Sequence, residues 1–135
     1  MPLFPVVIFP DVELWATGYL RAALADRTEP YAASVLVSNE VPQTRRDRMV
    51  IVRRDGGPRL DATREAARLS VRVWGPTEQV ATDLARLVAA LLWAAPTGSP
   101  VLRVQQQTGA TPVADSSGQP LRFMSFEITV RGLES

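Results

Sequence analysis

Residues 68–92, RLSVRVWGPTEQVATDLARLVAALL, change their hydrophobic period in mid-stretch, and the fold class turns on that change. Leu69, Val71 and Val73 alternate with Ser70, Arg72 and Trp74, the pattern of a half-buried strand with one face inward. Gly75-Pro76-Thr77-Glu78 reads as a helix start, with proline in the first turn and an acid near the positive end of the helix dipole. The spacing then becomes helical over residues 76–94. Val80, Leu84, Leu87, Val88, Leu91 and Leu92 share a core face, Thr77, Gln79, Asp83 and Arg86 stay outside, and Pro96 ends the run.

Upstream, Pro10 and Asp11 open a second helical signal over about 11–25, where Val12, Trp15, Ala16, Tyr19, Leu20, Ala23 and Leu24 recur at helical spacing. Gly18 inside it costs up to about 1 kcal/mol against alanine. After a connector at 26–32, a short strand is expected near 34–38 and a clearer one at 49–54, MVIVRR, closed by the turn Asp55-Gly56-Gly57-Pro58. Residues 59–69 fit either a loop with a helical turn or an irregular strand.

Downstream, VLRVQQQ predicts a strand at 101–107, and the small, polar residues of 108–120 predict a mobile surface loop. LRFMSFEITVRG, 121–132, is the longest alternation: Met124, Phe126, Ile128 and Val130 face one way, Phe123, Ser125, Glu127 and Thr129 the other. The order of elements predicts an α+β fold, a four- to five-stranded, mostly antiparallel or mixed sheet with two amphipathic helices on one face. Residues 1–9 are expected to form an extended segment.

The 135 residues make one expected domain, 1–135, with enough chain to bury roughly two-thirds of its unfolded surface. Cysteine and histidine are absent, which removes disulfides, thiol nucleophiles, a histidine base and the usual zinc and haem ligand sets. No cofactor or metal is expected. All 15 basic residues are arginine, whose planar fork suits fixed pairing with carboxylates, although GC-rich codon usage gives the same bias. A net charge of +1 creates no global field toward DNA or anionic lipid. MPLFPVVIFPD lacks a basic start and is broken by prolines, and no run approaches the roughly 18 apolar residues of a membrane span, so a soluble chain without an export signal is expected.

Between 45 and 59, Arg45, Arg46, Arg48, Arg53, Arg54 and Arg59 stand against Asp47 and Asp55. No aromatic lies within this patch and no nucleic-acid-binding module accompanies it, so a nucleic-acid grip is the lesser alternative. Asp55 and Asp61 flank a turn, where aspartate is a turn former, and Ser116-Ser117 has no histidine to activate it; no enzyme is expected.

The second face of the sheet is more informative. Met49-Val50-Ile51-Val52 is apolar on both faces, and Trp74 and Phe123 point away from their strands' core residues. Such strands are normally covered on both sides. Either residues 3–9 and the 58–68 connector provide the cover, or a partner subunit does. In the second case the strand centre supplies energy and the flanking arginines supply register, making Arg45, Arg46, Arg48, Arg53, Arg54, Trp74 and Phe123 the candidate interface.

In this order, FPDVELWATGYLRAAL, VPQTRRDRMVIVRRDGGP, RLSVRVWGPTEQVATDLARLVAALL and FMSFEITVRG resemble the tail terminator proteins of long, non-contractile-tailed phages (siphoviruses) of high-GC actinobacteria, over residues 8–132. The resemblance implies a structural virion protein without catalytic residues. It implies a ring, with six copies, capping the head-proximal end of the tail tube and meeting neck or head-tail connector proteins. Genomic DNA would pass through its lumen without sequence-specific contact, and assembly would occur in the host cytoplasm. Another neck or head-completion protein is the nearest alternative.

Overall fold

The structure is a computed structural model, and it describes residues 6–95 and 100–134. The expected terminator Pro96 and the first five residues of the extended segment lie outside the described residues. The elements in order are β1 (Val7–Ile8), α1 (Val12–Ala25), a single 3-10 turn (Pro30–Ala32), β2 (Leu36–Ser38), β3 (Met49–Arg54), β4 (Arg64–Trp74), α2 (Glu78–Trp93), β5 (Val101–Val113), β6 (Leu121–Arg131) and β7 (Leu133–Glu134).

Five strands form one sheet in the order β2-β3-β4-β6-β5, antiparallel except for the β2–β3 pair, and β1 pairs with β7 in a separate ribbon. The α+β, mixed-sheet expectation holds. Both helices lie on one face. Leu20 and Leu24 of α1 and Leu84, Val88 and Leu92 of α2 pack with Val50, Val52, Leu69, Val71, Val73, Met124, Phe126 and Ile128 in one cluster. Burying each large side chain contributes roughly 1.5–3 kcal/mol, so this layer dominates stability. Tyr19 crosses between the helices and donates its hydroxyl to the Leu91 carbonyl at 2.6 Å.

Caps set the helix starts. The Asp11 carboxylate accepts from the Leu14 N–H at 3.0 Å, as an N-cap should. In α2 the cap is Thr77, whose hydroxyl accepts from Val80 N–H at 3.2 Å, so the helix begins at Glu78 and not at Pro76. Gly75 is needed there for close approach: a β carbon would lie 2.6 Å from the Ala81 nitrogen. Arg122, nearly buried, reaches Glu78 at 2.6 Å and ties β6 to the first turn of α2.

Other boundaries moved. Ser34 adopts φ 54°, a left-handed turn that delays β2 to Leu36. The ambiguous 59–69 stretch is an Asp61 turn, whose carboxylate accepts from the Thr63 and Arg64 N–H groups, followed by the start of an 11-residue β4. The expected loop at 108–120 narrows to 114–120, because β5 continues to Val113. Three register shifts give β5 its surplus residues against β6, which is how a polar, glycine-containing stretch stays in the ladder at a sheet edge.

Candidate interaction surface

The parallel pairing of β2 with β3 has a topological consequence. Two neighbouring parallel strands need a crossover, and residues 39–48 make it. They return over the face opposite the helices, which lays Arg45 across the indole of Trp74 with its guanidinium carbon 5.6 Å from the ring centroid. From the other end of the sheet the 114–120 turn folds back over the same ring. Asp115 accepts from the Trp74 indole N–H at 3.1 Å and from Arg45 Nη2 at 2.8 Å, while Gln119 accepts from Arg45 Nε at 2.8 Å and donates to the Arg46 carbonyl at 3.1 Å. Ser117 donates its hydroxyl to the same Asp115 oxygen. That bond, then the indole and the Arg45 charge, hold the Asp115 carboxyl below its usual range against the opposing effect of burial.

Beneath this clasp lies a second apolar cluster of Met49, Ile51, Trp74 and Leu121, with Leu36 packed against it; Trp74 is 2% exposed. The expectation that either residues 3–9 with the 58–68 connector or a partner subunit must cover this surface is therefore corrected for the Trp74 cluster. The chain's own 39–48 and 114–120 segments cover it, and the described part of the N-terminal segment pairs with β7 instead. An open cleft of about 440 Å³ remains beside it, between Glu40 and Val41 on one side and Arg53 and Arg72 on the other.

The candidate arginines are not one patch. Arg45 closes the clasp, and Arg46 donates to the Ser34 carbonyl at 3.3 Å. The Arg48 Nε is buried without a hydrogen-bond partner among the described residues. Arg54 turns to the helix side: its N–H donates to Glu13 at 2.7 Å, and its guanidinium lies 2.8 Å from Glu65 in ionic contact without directed hydrogen-bond geometry. Arg45, Arg46 and Arg53 are all exposed, and of these three Arg53, projecting from β3 on the second face, makes no side-chain hydrogen bond or ion pair among the described residues. Phe123 is half-buried under Arg72, whose guanidinium carbon is 5.5 Å from its ring centroid.

Sequence reasoning missed Glu13, which lies in the first turn of α1 and joins that helix to the end of β3 and to Asn39. It missed Ile8 and Leu133 as well. They are cross-strand partners in the β1–β7 ribbon, 60% and 65% exposed, and form an apolar pair open to solvent. Such exposure is informative because a two-stranded ribbon is marginal unless something packs on it.

Among the described residues no group of three or more His, Cys, Asp or Glu side chains converges, and no helix is long and apolar enough to cross a membrane. The class is thus an α+β domain with one helical layer on a mixed five-stranded sheet. Among solved structures it is similar to a chain in the virion of a native gene transfer agent particle: TM-score 0.65, 14% identity, covering 91% of this chain and 100% of that one. It is also similar to the bacteriophage SPP1 gp17 protein, with TM-score 0.50, 15% identity, and coverage of 89% of this chain and 96% of that one. No protein-family model and no curated protein matches the sequence. At such identities the likeness establishes the fold.

Proposed function

We propose that the protein is a structural virion protein of a tailed phage or phage-like particle, and within that class a tail terminator. It assembles as a ring, of six copies, on the head-proximal end of the tail tube, where it stops growth and meets neck or connector proteins. The ring's lumen admits the genome. The observation that carries this reading is the fold likeness, nearly end to end, to a chain from a virion. The segment order resembling siphovirus tail terminators supports the finer assignment.

The structure alters which contacts would close a ring. With the Trp74 cluster covered internally, the Ile8–Leu133 pair is the better source of apolar contact. A ring needs a heterologous surface that meets a different surface on the next copy, and an exposed aliphatic pair on a two-stranded ribbon suits that role.

Purified tail tubes incubated with the protein and viewed by electron microscopy test the proposal. A ring is expected at one tube end, lost in Ile8→Asp and Leu133→Asp. A chain that stays monomeric by native mass spectrometry and leaves tube ends bare overturns the terminator reading.

A further inference from the structure

The face of the sheet away from the helices carries an unbalanced set of cations. Arg53 of β3, Arg68 and Arg72 of β4, Arg103 of β5 and Arg131 of β6 fall on it by strand alternation and register; the carboxylates there are Glu127 opposite Arg68, Glu40 at the cleft beside Arg53 and Arg72, and Asp115, which is paired with Arg45. None of these five arginines is in an ion pair among the described residues, whereas Arg27, Arg45, Arg54, Arg64 and Arg122 are. The whole chain is only +1, so the excess on this face leaves the remainder of the molecule net acidic.

Arg68 lies opposite Glu127 and Arg72 lies between Ile51 and Phe123, while small hydroxyl side chains flank the other strand-centre arginines. Ser70 lies opposite Arg53, Thr129 opposite Arg103, and Ser70 opposite Ser125. Arg53 and Arg72 are diagonal neighbours across β3 and β4, a relationship that separates side chains by about 7–8 Å. Three strand spacings put Arg53 and Arg103 about 14 Å apart across the sheet. Eight residues along β6 from Arg72's partner Phe123 to Arg131 add about 26 Å along it. Those dimensions approach one turn of a nucleic-acid duplex, roughly 34 Å long.

We propose that this face is a sequence-independent binding surface for the phosphate backbone of double-stranded nucleic acid. A donor-rich, acceptor-poor face calls for an acceptor-rich partner, and phosphate oxygens satisfy arginine forks and hydroxyls alike. A second copy of the chain fits less well, because an interface core needs apolar residues and those of this face are already buried under the 39–48 and 114–120 segments. A lipid surface fits less well too: Phe123 lies under Arg72, leaving two separate valines, Val41 and Val113, as the exposed large apolar side chains at the cleft. The proposal does not depend on the tail-terminator reading, since the isolated chain carries the surface.

Fluorescence anisotropy with fluorescein-labelled DNA duplexes of two unrelated sequences tests it, titrating salt from 50 to 300 mM. Equal affinity for both duplexes is expected, with a log–log salt slope near −3 to −4, about −0.9 per phosphate contacted. Arg53→Gln with Arg103→Gln should flatten that slope by about 2 units. The control pair Arg27→Gln with Arg86→Gln, removing the same charge elsewhere, should leave it unchanged. Circular dichroism melts confirm that both double variants fold, and Arg72→Gln alone, flattening the slope by about 1, serves if the first pair does not. No binding at 50 mM salt, equal loss in the control pair, strong preference for one sequence, or arginine-dependent binding to phosphatidylserine vesicles in place of duplex would each overturn it.

Discussion

Arg45 and Asp115, 70 positions apart in the chain, meet at 2.8 Å above the indole of Trp74. One residue comes from the β2–β3 crossover and the other from the β5–β6 turn, so the contact closes two loops over one apolar cluster. A partly exposed ion pair contributes about 0–1 kcal/mol, and a guanidinium over an aromatic ring about 0.5–1 kcal/mol. The clasp is therefore a positioning device more than a source of stability.

Arg45→Ala should lower unfolding free energy by only about 1–2 kcal/mol, the loss of both contacts. Its larger effect should be on access. With Trp15 and Trp93 replaced by Phe, acrylamide quenching of the remaining Trp74 should rise severalfold in the Arg45→Ala chain. Unchanged quenching would mean that the loops hold without the guanidinium.

Asp115 should also give stability a particular acid dependence. Its folded carboxyl is held below the ordinary 3.8, first by Ser117 and then by Trp74 and Arg45. A depressed folded value contributes stability that is fully present above the unfolded value near 4 and is lost as pH falls through the folded one. Comparing urea midpoints of the parent and Asp115→Asn at pH 7 and at successive steps below pH 4 should show the parent's advantage shrinking to nothing. A pH-independent difference would deny the carboxylate its role.

Gly57 and Gly18 should respond to alanine with opposite signs. Gly57 sits at φ 108°, and a β carbon there would stand 2.0 Å from the Ala66 carbonyl oxygen, so Gly57→Ala must disturb the β3–β4 turn at a cost of about 1–3 kcal/mol or more. Gly18 lies on the exposed side of α1 with nothing within 4 Å of an added β carbon, so Gly18→Ala should stabilise by about 0.5–1 kcal/mol. Thermal melts of the two single variants would show the split.

Phe126 is the largest fully buried side chain among the described residues and lies on the helix-covered face of β6, the strand that packs against α2. Phe126→Ala should cost about 3–5 kcal/mol, enough to threaten folding of a domain this size. Phe126→Leu should cost much less, since it retains most of the volume. Denaturant midpoints that fail to separate the two would contradict the packing described.

The alternations of β6 and of the 69–74 half of β4 were legible because face assignment in a strand depends only on parity, whereas residues 64–68 had no clear signal. Leu69, Val71, Val73, Met124, Phe126 and Ile128 all meet the helices as that parity requires. Helix α1 was legible for the same kind of reason, its period and its Asp11 cap both being local. The edge strand β5 was half hidden. Its outer residues, TGATPV, have loop composition and are held in the sheet by pairing with β6 through bulges, which is a property of the partner strand.

By itself, then, the sequence determined the two helices, the periodic parts of the central strands with their inward and outward faces, and the presence of a second apolar row, since these follow from periods of two and 3.6 residues. What covers that row was decided only in three dimensions. The parallel β2–β3 pair forces the 39–48 return across the second face, and the β5–β6 turn brings Asp115 to meet it. Hydrogen bonding between residues so far apart is set by strand order and register, neither of which any local window contains. The same pairing separated the arginines, locking Arg45 and Arg54 into internal contacts and leaving Arg53 beside Arg72 on the open face.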